Sequence, residues 1–120
     1  MEKQKIQDRT YNFALEIIKL VKELPYNTAT ASLGRQLIRS GTSIGANVEE
    51  AQGASSKKDF INKINIAKKE ARETRYWIRL INDSHLTQNK SMSSLLSEIV
   101  EIINILTAIV KTSEKNAHNL

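Results

Sequence analysis

Between Leu33 and Ile81 two helical patterns meet at a short connection of small residues, Gly53-Ala54-Ser55-Ser56. On both sides of it, apolar residues recur at the three- and four-residue spacing of one helix face. The first pattern also carries an unusual polar row and the second a basic row. One proline and four glycines are all that could interrupt helices in the whole chain, which argues for long ones. With 120 residues the chain suits a single domain over 1–120, with one core and no large enclosed pocket besides.

The flanking segments read as packing partners for this pair. A first helix is predicted over about residues 7–24, with Phe13, Ile17, Leu20 and Leu24 inward and Ala14 and Val21 widening the face. Leu24-Pro25 ends it, because proline disfavours helical geometry in the residue before it. Tyr11, Leu15 and Ile18 fall on roughly the opposite side, a patch that a monomeric bundle does not need, although single exposed apolar residues are ordinary. A second helix, about 32–52, is expected to be capped by Thr30 or Ser32 and to turn Leu33, Leu37, Gly41, Ile44, Val48 and Ala51 inward. Gly41 and Gly45 each cost about 1 kcal/mol relative to alanine in a helix interior, which a close helix crossing would offset.

The third helix, about 56–82, opens on a capping pair, Ser56 with Asp59. Phe60, Ile64, Ala67, Ala71, Thr74, Ile78 and Ile81 trace its core face. Ile66, Trp77 and Leu80 form a second, narrower apolar patch interleaved with Glu70 and Glu73. The fourth helix, about 90–113, has the broadest apolar arc, from Met92 to Val110, as suits the most buried helix. The polar tail from Glu114 is expected to fray. Four amphipathic helices with short connections predict an all-α fold, an antiparallel up-down-up-down four-helix bundle.

No catalytic constellation emerges. There are no cysteines, so disulfides, thiolate metal sites and cysteine nucleophiles are excluded. His85 lies in a predicted loop and His118 in the tail, without metal-ligand spacing. Glu49, Glu50, Glu70 and Glu73 invite comparison with carboxylate-bridged metal bundles, but the Glu-x-x-His pairs those use are missing. The serines have no base implied nearby, and no Gly-rich phosphate loop follows a strand. The expectation is a protein without enzyme activity, metal or cofactor. The start, MEKQKIQDRT, lacks the apolar core of a secretory signal. No run of about 18 apolar residues offers a membrane span. A cytoplasmic protein without membrane contact is expected, which makes the glycosylation patterns at Asn82 and Asn89 chance matches.

Two rows remain. Gln36, Ser40, Ser43, Asn47 and Glu50 line one stripe of the second helix, beside Arg35 and Arg39. They either face water or lie against another helix or subunit; short side chains suit a contact better than a free surface. Arg35 and Arg39 are placed to pair with Glu50 or with an acid on the third helix. The basic row is Lys57, Lys68, Arg72, Arg75 and Arg79, with Glu70 and Glu73 falling on another side. With a net charge of +5, such a row suits phosphates or an acidic partner; a solvated basic face is the plain alternative. Aromatic residues are sparse, so base-specific recognition is not expected.

Leu33, Gln36-Leu37, Arg39-Ser40, Ser43-Ile44, Asn47 and Glu50, followed by Phe60, Ala67, Glu73 and Tyr76, resemble the 23S rRNA-intervening-sequence, or S23-type, protein family. The run AKKEARETRYWIRL is similar to one branch of it. The likeness is specific over residues 11–81, and mainly one of apolar character in the fourth helix. The chain departs from many relatives at Glu49-Glu50-Ala51-Gln52-Gly53 and at Lys69-Glu70. The resemblance implies an antiparallel four-helix bundle that assembles into a ring, typically of five copies. It further implies kinship with accessory bundles of retroelement reverse transcriptases, which bind nucleic acid through a basic surface. Ribosomal membership is not implied.

The leading expectation is therefore a homo-oligomeric, pentameric bundle that binds RNA or DNA nonspecifically. Lys57, Lys68, Arg72, Arg75 and Arg79 are its expected nucleic-acid contacts. Gln36, Arg39, Ser43, Asn47, Glu50, Glu73 and Trp77 are its expected assembly contacts. The alternative is a scaffold that binds another protein without touching nucleic acid.

Overall fold

The structure, a computed structural model, describes residues 5–118. Residues 1–4 and 119–120, the outer ends of the polar leader and tail, lie outside it. Four helices follow one another: α1 (Ile6–Glu23), α2 (Thr28–Gln52), α3 (Lys57–Asp83) and α4 (Met92–His118). Each packs on the next, and α4 returns to α1 to close the bundle. Across that last seam Arg9 donates two hydrogen bonds to Glu98, of 2.8 and 2.7 Å, and Asn89 reaches Glu23 at 2.7 Å.

The helix ends follow local chemistry. α2 begins four residues before the expected start, and its cap is neither Thr30 nor Ser32. Asn27 accepts the Thr30 amide at 2.9 Å, and the Thr30 hydroxyl accepts the Asn27 amide at 3.0 Å. Asparagine is a better cap than threonine, so the reciprocal box forms at the earlier residue. α3 starts as expected, with Ser56 accepting the Asp59 amide at 3.0 Å. Its C-terminus is closed by His85 at φ 56°, whose amide donates to Asn82. α4 does not end at residue 113: it continues through the expected frayed segment to His118, whose side chain lies outside the described structure.

The core gathers one stripe from each helix: Ile17 and Leu20, Leu37 and Ile44, Ile64 and Ile78, Ile99 and Leu106 are all fully buried. At the α1–α2 crossing, a Cβ on Gly41 would stand 3.0 Å from the Ile17 side chain, so the glycine admits the close approach expected of it. Leu33 and Phe60 are only half-buried, while Thr10, Gly34 and Ser40 turn inward. α4 is less enclosed than its arc suggested, with Val100 39% exposed and Leu96, Ile103 and Ile109 half-buried.

Among the described residues α4 is also the one helix long and apolar enough on average to cross a membrane, a property the run-length criterion did not register. It is amphipathic, however. Ile99, Ile102 and Leu106 meet the core, while Ser97, Glu101, Asn104 and Lys111 are exposed. Packing against α1 and α3 accounts for its apolar content.

Candidate nucleic-acid interface

Four cations of α3 share one side of the helix. At about 100° per residue, Lys68, Arg72, Arg75 and Arg79 fall within an arc of roughly 60° and extend roughly 16 Å along the axis. Arg72, Arg75 and Arg79 are exposed and Lys68 is half-buried. Among the described residues none of the four lies within ion-pair distance of a carboxylate. Lys57 is exposed as well, but it is the first residue of α3, roughly 16 Å from Lys68 along the helix. The row thus divides into a cluster of four and an outlying lysine.

Of the four acids on the same helix, Glu70 and Glu73 are turned toward α2, where Arg39 engages both. Its guanidinium donates to Glu73 and, at 3.4 Å, to Glu70. Gln36 accepts from Arg39 at 3.1 Å, and Trp77 donates its indole N–H to Glu73 at 3.0 Å. Four of the seven expected assembly residues, Gln36, Arg39, Glu73 and Trp77, are therefore joined in one network within a single chain. Pairing of Arg39 with an acid on the third helix, rather than with Glu50, is the arrangement found. Arg39 is 49% exposed, so the pairs contribute modestly to stability. Their larger effect is to neutralise the two acids that lie level with the middle of the basic cluster; Asp83, exposed one turn beyond Arg79, stays outside the network.

The remaining polar-row residues part company. Ser40 is fully buried, and its hydroxyl lies 2.9 Å from that of Thr74, which is also 2.7 Å from the Glu70 carbonyl. Ser43 donates to the Arg39 carbonyl at 2.6 Å and Asn47 to the Ser43 carbonyl at 2.8 Å, both within α2. Glu50 is exposed. The row therefore lies against α3 at Ser40, joins the Arg39 network at Gln36, and is on the surface at Glu50.

Two open cavities bear on ligand binding. A shallow depression of about 330 Å³ is lined by Asn65, Lys68, Lys69 and Arg72. Asn65 and Lys69 were not anticipated, although they stand three positions before Lys68 and Arg72, where helix neighbours fall. A larger cavity of about 610 Å³ runs along the α1–α4 seam beside Arg9, Ile105 and Ile109. Its one cation is committed: hydrogen bonding to Glu98 raises the Arg9 guanidinium above the ordinary arginine value. Among the described residues no group of three His, Cys, Asp or Glu side chains gathers as a metal site would require.

The family described as "23S rRNA-intervening sequence protein" matches residues 2–108 of the chain. A solved structure of a protein of unknown function from the S23 ribosomal protein family of Bacteroides thetaiotaomicron is 39% identical. It covers 89% of this chain and 99% of its own length, with a TM-score of 0.80. No curated protein matches the chain.

Proposed function

This chain belongs to the 23S rRNA-intervening sequence protein family, and on that premise we propose that it is a non-enzymatic, homo-oligomeric bundle binding RNA or DNA nonspecifically through α3. Its main support is the cluster of Lys68, Arg72, Arg75 and Arg79, three exposed and one half-buried and none in an ion pair among the described residues, while Arg39 holds Glu70 and Glu73 on the other side of the helix. Unpaired cations at this density attract a phosphate backbone and gain from release of its counterions. A row of like cations along one helix face meets phosphates whatever bases they join, so binding is largely insensitive to sequence.

Self-association, in the five-membered ring expected from the resemblance, is the second half of the proposal. It is supported by apolar surface beyond what one core requires: Tyr11, Leu15 and Ile18 on α1 are 64%, 49% and 38% exposed, and Ile66 and Leu80 on α3 are 38% and 37% exposed. A cytoplasmic location goes with this function.

Filter binding to random-sequence RNA and DNA across a salt series tests the first half. The expected result is affinity that falls steeply with salt and differs little between sequences. Absence of binding at low salt would end the nucleic-acid proposal and favour a scaffold that docks proteins. Light scattering at micromolar concentration tests the second half; a stable monomer would overturn it.

A further inference from the structure

We infer that the nucleic acid held by α3 is single-stranded and that Tyr76 is the platform on which one of its bases stacks. The inference rests on the nucleic-acid function proposed above. Tyr76 is 53% exposed, a large aromatic side chain left in water. It follows Arg72 by four residues and precedes Arg79 by three, and such positions are surface neighbours on a helix. Its ring therefore stands between two cations that make no ion pair among the described residues. A base lying on the ring would have a guanidinium on either side for its flanking phosphates.

The ring is also held in place. Its centroid is 5.1 Å from that of Trp77, with the planes at 72°, an edge-to-face contact. Trp77 is itself anchored, donating to Glu73 at 3.0 Å, and Glu73 is gripped by Arg39. A chain of contacts thus runs from α2 through Arg39, Glu73 and Trp77 to a tyrosine whose outer surface is open. An aromatic fixed beforehand loses little freedom when a base settles on it. Stacking of this kind accepts any base and needs one that is unpaired, which favours single strands over duplex while leaving sequence unread.

The test compares oligo-dT, oligo-U and a DNA duplex of matched length by fluorescence anisotropy. The wild type, Tyr76→Ala, Tyr76→Phe and Arg72→Gln are measured together, each with its mass from light scattering. The expected wild-type result is tighter binding of the single strands than of the duplex. Binding is also expected to quench the fluorescence of Trp77, the only tryptophan. Tyr76→Ala should weaken single-strand binding about tenfold or more and leave duplex binding unchanged. Tyr76→Phe should restore it, and Arg72→Gln should weaken both. Equal loss on all probes, no loss, or a changed mass for Tyr76→Ala would overturn the stacking role, the last by assigning Tyr76 to a subunit contact. Those results leave nonspecific nucleic-acid binding intact, whereas failure of the wild type to bind any probe removes both.

Discussion

Three residues show how local physics sets the stability of this fold. His85 closes α3 with φ at 56°, a left-handed conformation that costs a Cβ-bearing residue about 1–2 kcal/mol. Glycine escapes that strain but loses more backbone freedom on folding. His85→Gly should therefore raise unfolding stability by about 0.5–1 kcal/mol in urea denaturation, while His85→Ala should not. A gain from alanine equal to that from glycine would show that the side chain, not the backbone, is at fault. The buried Ser40–Thr74 pair makes an asymmetric prediction. Ser40→Ala leaves the Thr74 hydroxyl its bond to the Glu70 carbonyl and should cost about 0.5 kcal/mol. Thr74→Val leaves Ser40 with only a 3.5 Å approach to the Leu37 carbonyl and should cost about 1–2 kcal/mol. Thermal denaturation of the two variants decides it, and the reverse order would show that Ser40 finds another acceptor.

At the scale of the helix, the α1–α2 crossing separates two glycines that look alike in sequence. A Cβ at Gly41 would meet the fully buried Ile17 at 3.0 Å, and Ile17 has core on its other sides. Gly41→Ala should thus be destabilising by about 1–3 kcal/mol, despite alanine's better helix propensity. At Gly45 the nearest atoms belong to Thr10, at 3.4 and 3.5 Å, which is ordinary contact. Gly45→Ala should be neutral or stabilising by up to about 1 kcal/mol, and calorimetry of the pair tests the opposed signs. The special role of Gly41 was legible because it falls in the apolar stripe; that of Gly34, against Val21, was missed although it stands three positions before Leu37 and seven before Gly41, because half-buried Leu33 reads as the start of the stripe instead. The four helices and most of their inner faces were equally legible, being carried by period alone. Periodicity places a residue on its own helix but does not say which stripe of a neighbour it will meet. Arg39 was therefore recognised as a cation seeking an acid, while its joint hold on Glu70 and Glu73 required the packed α2–α3 pair. The start of α2 was missed because Asn27, two residues past Pro25, reads as loop until its bond to Thr30 is seen.

At the scale of the whole molecule, the proposed nucleic-acid contact depends on a residue outside the basic cluster. Glu70 and Glu73 lie within a turn of Lys68, Arg72 and Arg75 along α3, close enough for their charge to weaken any field directed at phosphates. Arg39, on α2, pairs with both and removes that opposition. Arg39→Gln should therefore lower nucleic-acid affinity severalfold although Arg39 is not part of the basic cluster. The salt dependence distinguishes such an indirect effect from a lost contact. Arg72→Gln deletes a phosphate partner, so the slope of log affinity against log salt should become shallower by about 0.7–0.9. Arg39→Gln should change the slope much less, because as many phosphates remain neutralised. Titrations of the two variants at matched ionic strengths make the comparison. An equal change of slope would make Arg39 itself a phosphate contact and extend the binding surface onto α2. Unchanged affinity would show that the acids of α3 are too well screened by water and salt to matter, leaving the network of Arg39, Glu73 and Trp77 to act through geometry alone.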